Sequence, residues 1–401
     1  MSTRADAPAR GRAFRAEVLR RHGAGPAEVA ELLAYTAVEL RRPPRPPALP
    51  LDDEPFADAW AGYAAEAEAR GAWNVLRERL PQLRFPIAQG MCETDEYRAA
   101  TRRGLAPPEG PGVELARPEA LRLFVHPTPA GRLPVLAAGC RDDFVTLVRA
   151  LARQNEPSPV PPSMGALMVA GFNNWDRVAA LRRAWEAEHP GAAEGEWSAA
   201  WREMIPRREL YQDRFVLLAP GPYSGVAAGE MGMEPVRWNE LSLTIRLEHE
   251  AAHYFSKRVL GAMRPHALDE IVADFAGIAA AAGRYRADWA ARFLGVEEAL
   301  PGFRAGGRLA NYRGALGDAA FAVLASLARA AVEALAAFDA ARPHRDTGVA
   351  ERGATLAALF ALPLEALAAP DGAARLRRSR ARPWRRKVAT RTFSTSLPTL
   401  R

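Results

Sequence analysis

Beyond residue 239 the chain consists almost entirely of long Ala- and Leu-rich stretches with helical spacing, at 239–260, 268–282, 284–294, 309–340 and 353–369. Strand-like runs occur only before that point, at 121–126, 133–138, 166–172 and 215–219, bounded by turn-forming residues such as those at 127–131 and 220–225. Helical spacing also marks 13–40, 55–84, 144–153 and 176–188. A chain that places its strands in one region and its helices after them predicts an α+β fold with a small sheet, not an alternating parallel α/β fold. The proline-dense segment 41–50 (RRPPRPPALP) reads as an extended linker, because proline fixes φ and removes a donor. Four regions are therefore expected: 1–50, helical and ending in the linker; 51–235, mixed α/β with the sheet; 236–370, helical; and 371–401, a tail.

The formal charge of +7 is a property of that tail. Residues 371–401 carry +9, which leaves −2 for the first 370. A terminal charge run of this kind is expected to be solvated and disordered, with an acidic surface or nucleic acid as its conceivable partner. Only two lysines occur in the whole chain against abundant arginine, so arginine by itself carries little functional information. The most apolar stretch, 319–338, is interrupted by Arg329 and Glu333 and reads as an amphipathic helix, not a membrane span. The first twenty residues lack the apolar core of a secretory signal, so a cytoplasmic location is expected. Cys92 and Cys140 form no CxxC pair, which argues against a disulfide scaffold or a cysteine metal site.

The chemistry lies where the two regions meet. His249-Glu250-Ala251-Ala252-His253 is an HExxH, and three of the seven histidines (His249, His253 and His266) fall within one short stretch. On a helix, positions i and i+4 share a face, so both imidazoles can reach one metal ion. Zinc suits nitrogen and oxygen donors with one position left open, and Glu250, one residue past the first ligand, is placed to act as general base and then acid. Asn239 is the expected N-cap of this helix and Gly261 its stop. A third protein ligand is required. Ile271, Phe275 and Ile278 mark a second helix with one buried stripe, while Glu270 and Asp274 share another face. One of these acids can ligate while the other orients a ligand histidine. His266 and Asp269 are rival third ligands.

HExxH followed by this Glu-x-x-x-Asp resembles the gluzincin metallopeptidases over residues 246–278. The resemblance implies a zincin-like fold, one zinc held by His249, His253 and Glu270, Asp274 hydrogen-bonded to a ligand histidine, Glu250 as the catalytic carboxylate, and a peptide or other amide as substrate. It also implies a sheet edge beside the cleft that can pair with an extended peptide, for which 215–219 is the candidate. The related metzincin pattern is absent, since Ser256 and Val259 stand at its glycine and third histidine. Arg246 departs from the small or β-branched residue usual at its position, and the interval from His253 to Glu270 is short for the family. Tyr223, Tyr285, Tyr312 and His266 are the candidates for stabilising a developing oxyanion.

Two other readings compete. Glu250-x-x-His253 and Glu186-x-x-His189 are both ExxH half-sites of the kind used by di-iron carboxylate bundles. A non-enzymatic protein with a degenerate site and a partner-binding tail would also carry these residues.

Overall fold

The computed structural model describes residues 6–37, 47–107, 109–110, 112–261, 267–297, 302–342 and 348–381. It is α+β. Helices α1 (Asp6–Arg21), α2 (Pro26–Tyr35), α3 (Ala57–Arg70), α4 (Ala72–Arg79) and α5 (Asp95–Arg103) come first. The sheet region follows, with β1 (Arg122–Thr128), β2 (Gly131–Ala137), α6 (Arg141–Ala152), β3 (Ala166–Asn173), α7 (Trp175–Glu188), α8 (Glu194–Met204) and β4 (Gln212–Leu218). Helices then run to the end: α9 (Pro235–Leu260), α10 (Ala267–Ala282), α11 (Ala287–Leu294), α12 (Asp318–Ala340), α13 (Val349–Leu359), α14 (Leu364–Ala368) and α15 (Gly372–Arg380).

The four strands lie in the order β1-β2-β4-β3. β1 and β2 form an antiparallel hairpin, β2 and β4 run parallel, and β3 is antiparallel to β4. Strand periodicity divides β4 between two cores. Phe215 and Leu217 pack with Trp60, Leu76 and Phe144 from α3, α4 and α6. Val216 and Leu218 face the large helical core that contains Ile245 and Tyr254 of α9. β4 is thus covered on both faces and paired on both edges, so it is not the cleft-side edge strand expected of 215–219. Its unbroken apolar run is the mark of an interior strand. Among the described residues β3 pairs with β4 alone and forms the edge on that side.

The helices depart from expectation at their ends. α9 begins at Pro235 with Glu234 at the N-cap, so Asn239 lies inside its second turn. A proline at the first helical position loses no hydrogen bond and pre-sets φ, which outweighs a capping asparagine further on. Gly261, at φ 69°, ends the helix as expected. The stretch 309–340 is a 3-10 turn, Arg308–Tyr312, followed by α12, with Gly314 and Gly317 between them. The stretch 353–369 divides at Pro363 into α13 and α14. α5 and α8 were not foreseen. α5 is capped by Thr94, whose hydroxyl accepts the Tyr97 amide at 3.3 Å.

The two ends of the chain are more integrated than their composition suggested. Val18, Leu19, Leu32 and Leu33 of α1 and α2 belong to the same core as α9, α10 and α12. The tail expected to be disordered from 371 opens with α15, where Leu376 is fully buried in that core and Arg375 stacks on Phe14 at 4.2 Å. Leu376 and the close-packed Gly372 are the buried residues that dock a helix otherwise rich in arginine. Residues 382–401 lie outside the described residues, as does most of the proline-rich segment. α12 is long and apolar enough to cross a membrane by length and hydropathy. Here it is a core helix, burying Phe321, Leu324, Leu327 and Leu335, while Arg329 donates to the carbonyls of Val296 and Glu297.

The start of α9 is fixed by aromatic packing. Trp238 is 1% exposed, donates its indole N–H to the Val226 carbonyl at 2.8 Å, meets Trp289 edge-on at 5.5 Å and stacks on Phe293. Trp238→Ala should cost about 3–5 kcal/mol of stability, as large-to-small changes of buried aromatics do, read as a lowered denaturant midpoint with an unchanged slope. A loss under about 1 kcal/mol would show that this cluster does not hold the helix.

Candidate metal centre

α9 and α10 can approach closely because of one glycine. A Cβ at Gly277 would lie 2.5 Å from the Ile245 carbonyl oxygen, so only glycine lets α10 rest on the α9 backbone one turn before His249. That contact brings the acids of α10 beneath the histidines of α9. His249 Nε2 lies 3.0 Å from His253 Nε2 and 3.3 Å from Glu270 Oε2, and His253 Nε2 lies 3.4 Å from Glu270 Oε1. All three residues are 7% exposed. Ligand bonds of 2.0–2.2 Å in a tetrahedron place neighbouring donor atoms about 3.3 Å apart, close to the separations between the two imidazole nitrogens and the Glu270 carboxylate oxygens. Two nitrogens and one carboxylate converging at this distance can hold one metal ion.

The charges fit that use. Burial alone would lower the pKa of His249, but Asp274 and Glu270 outweigh it and raise the value to about 9. The same imidazoles hold Glu270 well below the usual carboxylate range despite its burial. Asp274, fully buried, is likewise held low, first by the Arg308 guanidinium and then by His249. Asp274 Oδ1 lies 3.1 Å from His249 Nδ1, and Nε2 faces His253 and Glu270. His253 Nδ1 is buried with no partner among the described residues. Glu250 is half-buried beside His249 and engages no other described residue.

Behind His249 lies a further layer of polar side chains that no sequence spacing announces. The Tyr223 hydroxyl lies 2.9 Å from His249 Nδ1, donates to Asp274 Oδ1 at 2.7 Å and accepts from Arg308 Nη1 at 2.6 Å. Arg308 also donates to Asp274 Oδ2 and to Ser224 Oγ. Arg246, the departure from the family pattern, is the tether for this layer. From inside α9 it donates to the carbonyls of Ala219, Gly221 and Pro222, fixing the exit of β4 so that Tyr223 points at His249. Burial lowers its pKa to about 10.

The structure brings His249, His253, Glu270 and Asp274 together as expected. Asp269 is buried but outside the group, and His266 lies outside the described residues. Of the oxyanion candidates, Tyr223 sits on the far side of His249, and Tyr285 is buried beside Phe275 with its amide on Asp339. Tyr312 is half-buried near Glu270: burial first, and then the Glu270 carboxylate, push its phenol up against the opposing charge of Arg308. The second ExxH does not join the site, since Glu186 is exposed and paired with Arg182, and His189 stacks on Trp185 at a helix end. Arg308 had no sequence signal, being one arginine among many.

Fold and site together define an α+β protein whose junction helix contributes two histidines to a buried group able to hold one metal ion. The chain belongs to a family of unknown function, DUF7005, whose profile matches residues 17–371. No curated protein and no solved structure matches it.

Proposed function

We propose that the chain is a zincin-like, zinc-dependent hydrolase of the gluzincin kind that cleaves a peptide or other amide bond. The observation that carries this reading is the convergence of His249, His253 and Glu270 at tetrahedral spacing, with Asp274 on the outer nitrogen of His249. His249, His253 and Glu270 would hold the ion. A zinc ion there supplies Lewis acidity toward a carbonyl and toward water. Glu250 takes the proton of the attacking water and passes it to the leaving nitrogen. Its freedom from any other described partner leaves its carboxylate available for that work. The donor set of two nitrogens and one carboxylate favours zinc over the oxygen-only sites of calcium or magnesium. Glu186 and His189 stand apart from this group, which favours one ion over a di-iron pair.

Chelator-stripped protein should lose hydrolysis of a peptide mixture and regain it with one equivalent of zinc. Equal hydrolysis before and after stripping would sink the proposal. Binding should also depend on pH with a defined sign. In the metal-free chain His249 holds its proton up to about pH 9, so zinc must displace that proton. Affinity should therefore rise by about tenfold per pH unit up to about pH 9 and then level off. Conversely, the stability that the raised His249 pKa gives the metal-free fold is fully present below pH 6.5 and is lost as pH rises through about 9.

A further inference from the structure

We propose that Arg308 and Tyr223 are positioning residues of the metal centre, which fix the tautomer of His249 so that Nε2 presents a lone pair to the ion. This rests on the metal reading above. The Tyr223 hydroxyl has one proton, and it is committed to Asp274 Oδ1 at 2.7 Å. A lone pair of the same oxygen receives Arg308 Nη1 at 2.6 Å. The two groups facing His249 Nδ1 are then Asp274 Oδ1 at 3.1 Å and the Tyr223 oxygen at 2.9 Å, and both can act only as acceptors. Nδ1 must keep its hydrogen, so the proton that an ion displaces is the one on Nε2, which then offers its lone pair on the side of His253 and Glu270.

Arg308 is what makes this arrangement one-way. By filling one lone pair of the Tyr223 oxygen and pairing with Asp274, it keeps that carboxylate an ionised acceptor for the hydroxyl proton, which turned toward Nδ1 would favour the tautomer with hydrogen on Nε2, unable to ligate. By donating to Asp274 Oδ2 it holds the carboxylate in place and leaves Oδ1 for the histidine. Burying a guanidinium is costly, and both terminal nitrogens of this one are committed to the site, on Asp274, Tyr223 and Ser224, while its Nε has no partner among the described residues. The three contributing segments are remote in sequence: the exit of β4, the middle of α10 and the turn Arg308–Tyr312.

The test is zinc affinity of the full chain, measured by competition with a chromophoric chelator. Arg308→Met and Tyr223→Phe should each weaken zinc binding by about 10–100-fold at unchanged helical content, the usual effect of losing a group behind a ligand. Arg308→Lys, which keeps one charged donor, should recover part of the loss. Combined with Asp274→Asn, Arg308→Met should add far less than it costs alone, because both act on the same histidine. A merely structural arginine would give additive losses and no rescue by lysine. Affinities of both variants within about twofold of the parent, or strict additivity, would overturn the proposal. Should Arg308→Met not fold, Tyr223→Phe, which removes a single oxygen, decides alone. A parent chain that binds no zinc overturns the metal reading and this inference with it. Parent binding with unaltered variants overturns this inference only.

Discussion

Glu250→Gln should retain a full complement of zinc and lose about 10²–10⁴-fold in turnover of an amide substrate. The magnitude is that of a positioned proton-transfer group. The retention of metal follows from the geometry, because the three donor atoms come from His249, His253 and Glu270 and none from Glu250. The substitution is nearly isosteric and Glu250 engages no other described residue, so the fold has little to lose. The amide keeps the shape of the carboxylate but cannot accept the proton of an attacking water. Zinc content by mass spectrometry, alongside initial rates, separates the outcomes. Activity within threefold of the parent would remove Glu250 from the chemistry, and loss of zinc would make it a ligand.

His253→Ala should lose both metal and activity. Zinc held by four ligands in small domains is worth about 10–16 kcal/mol, so one ligand accounts for about 3–4 kcal/mol, or 10²–10³-fold in affinity. The truncated site retains His249 and Glu270, which can hold zinc only weakly. The protein itself should remain folded, since among the described residues His253 Nδ1 has no partner to forfeit and the contacts of its ring are those of Nε2. Circular dichroism and zinc affinity, measured on one sample, distinguish metal loss from unfolding. An affinity unchanged from the parent would mean that the ion, if one binds, sits elsewhere.

Much of this site was legible in the sequence because its logic is local. An HExxH read on a helix puts two imidazoles on one face, and a four-residue interval between acids does the same for Glu270 and Asp274. The four strands were legible for a similar reason: each is a short apolar run between turn residues, and each lies within a few residues of its expected place. What sequence could not supply was pairing across distance. The run at 215–219 announces burial but not its neighbours, so it could stand as a candidate edge although it is an interior strand. Arg308 reaches Asp274 across 34 residues and Tyr223 across 85, and no periodicity encodes such a contact. Arg246 looked like a departure from a family pattern because its partners are three carbonyls of a distant loop. The start of α9 was misplaced because a proline–N-cap pair and an aromatic cluster outrank a single capping residue.

The most direct measurement is zinc stoichiometry, determined by mass spectrometry after equilibrium dialysis, for the parent chain and for the His249→Ala, His253→Ala double variant. One ion per parent chain and essentially none in the variant is the expected result. No bound ion in the parent, or an equal content in both proteins, would contradict a metal centre at the junction of α9 and α10.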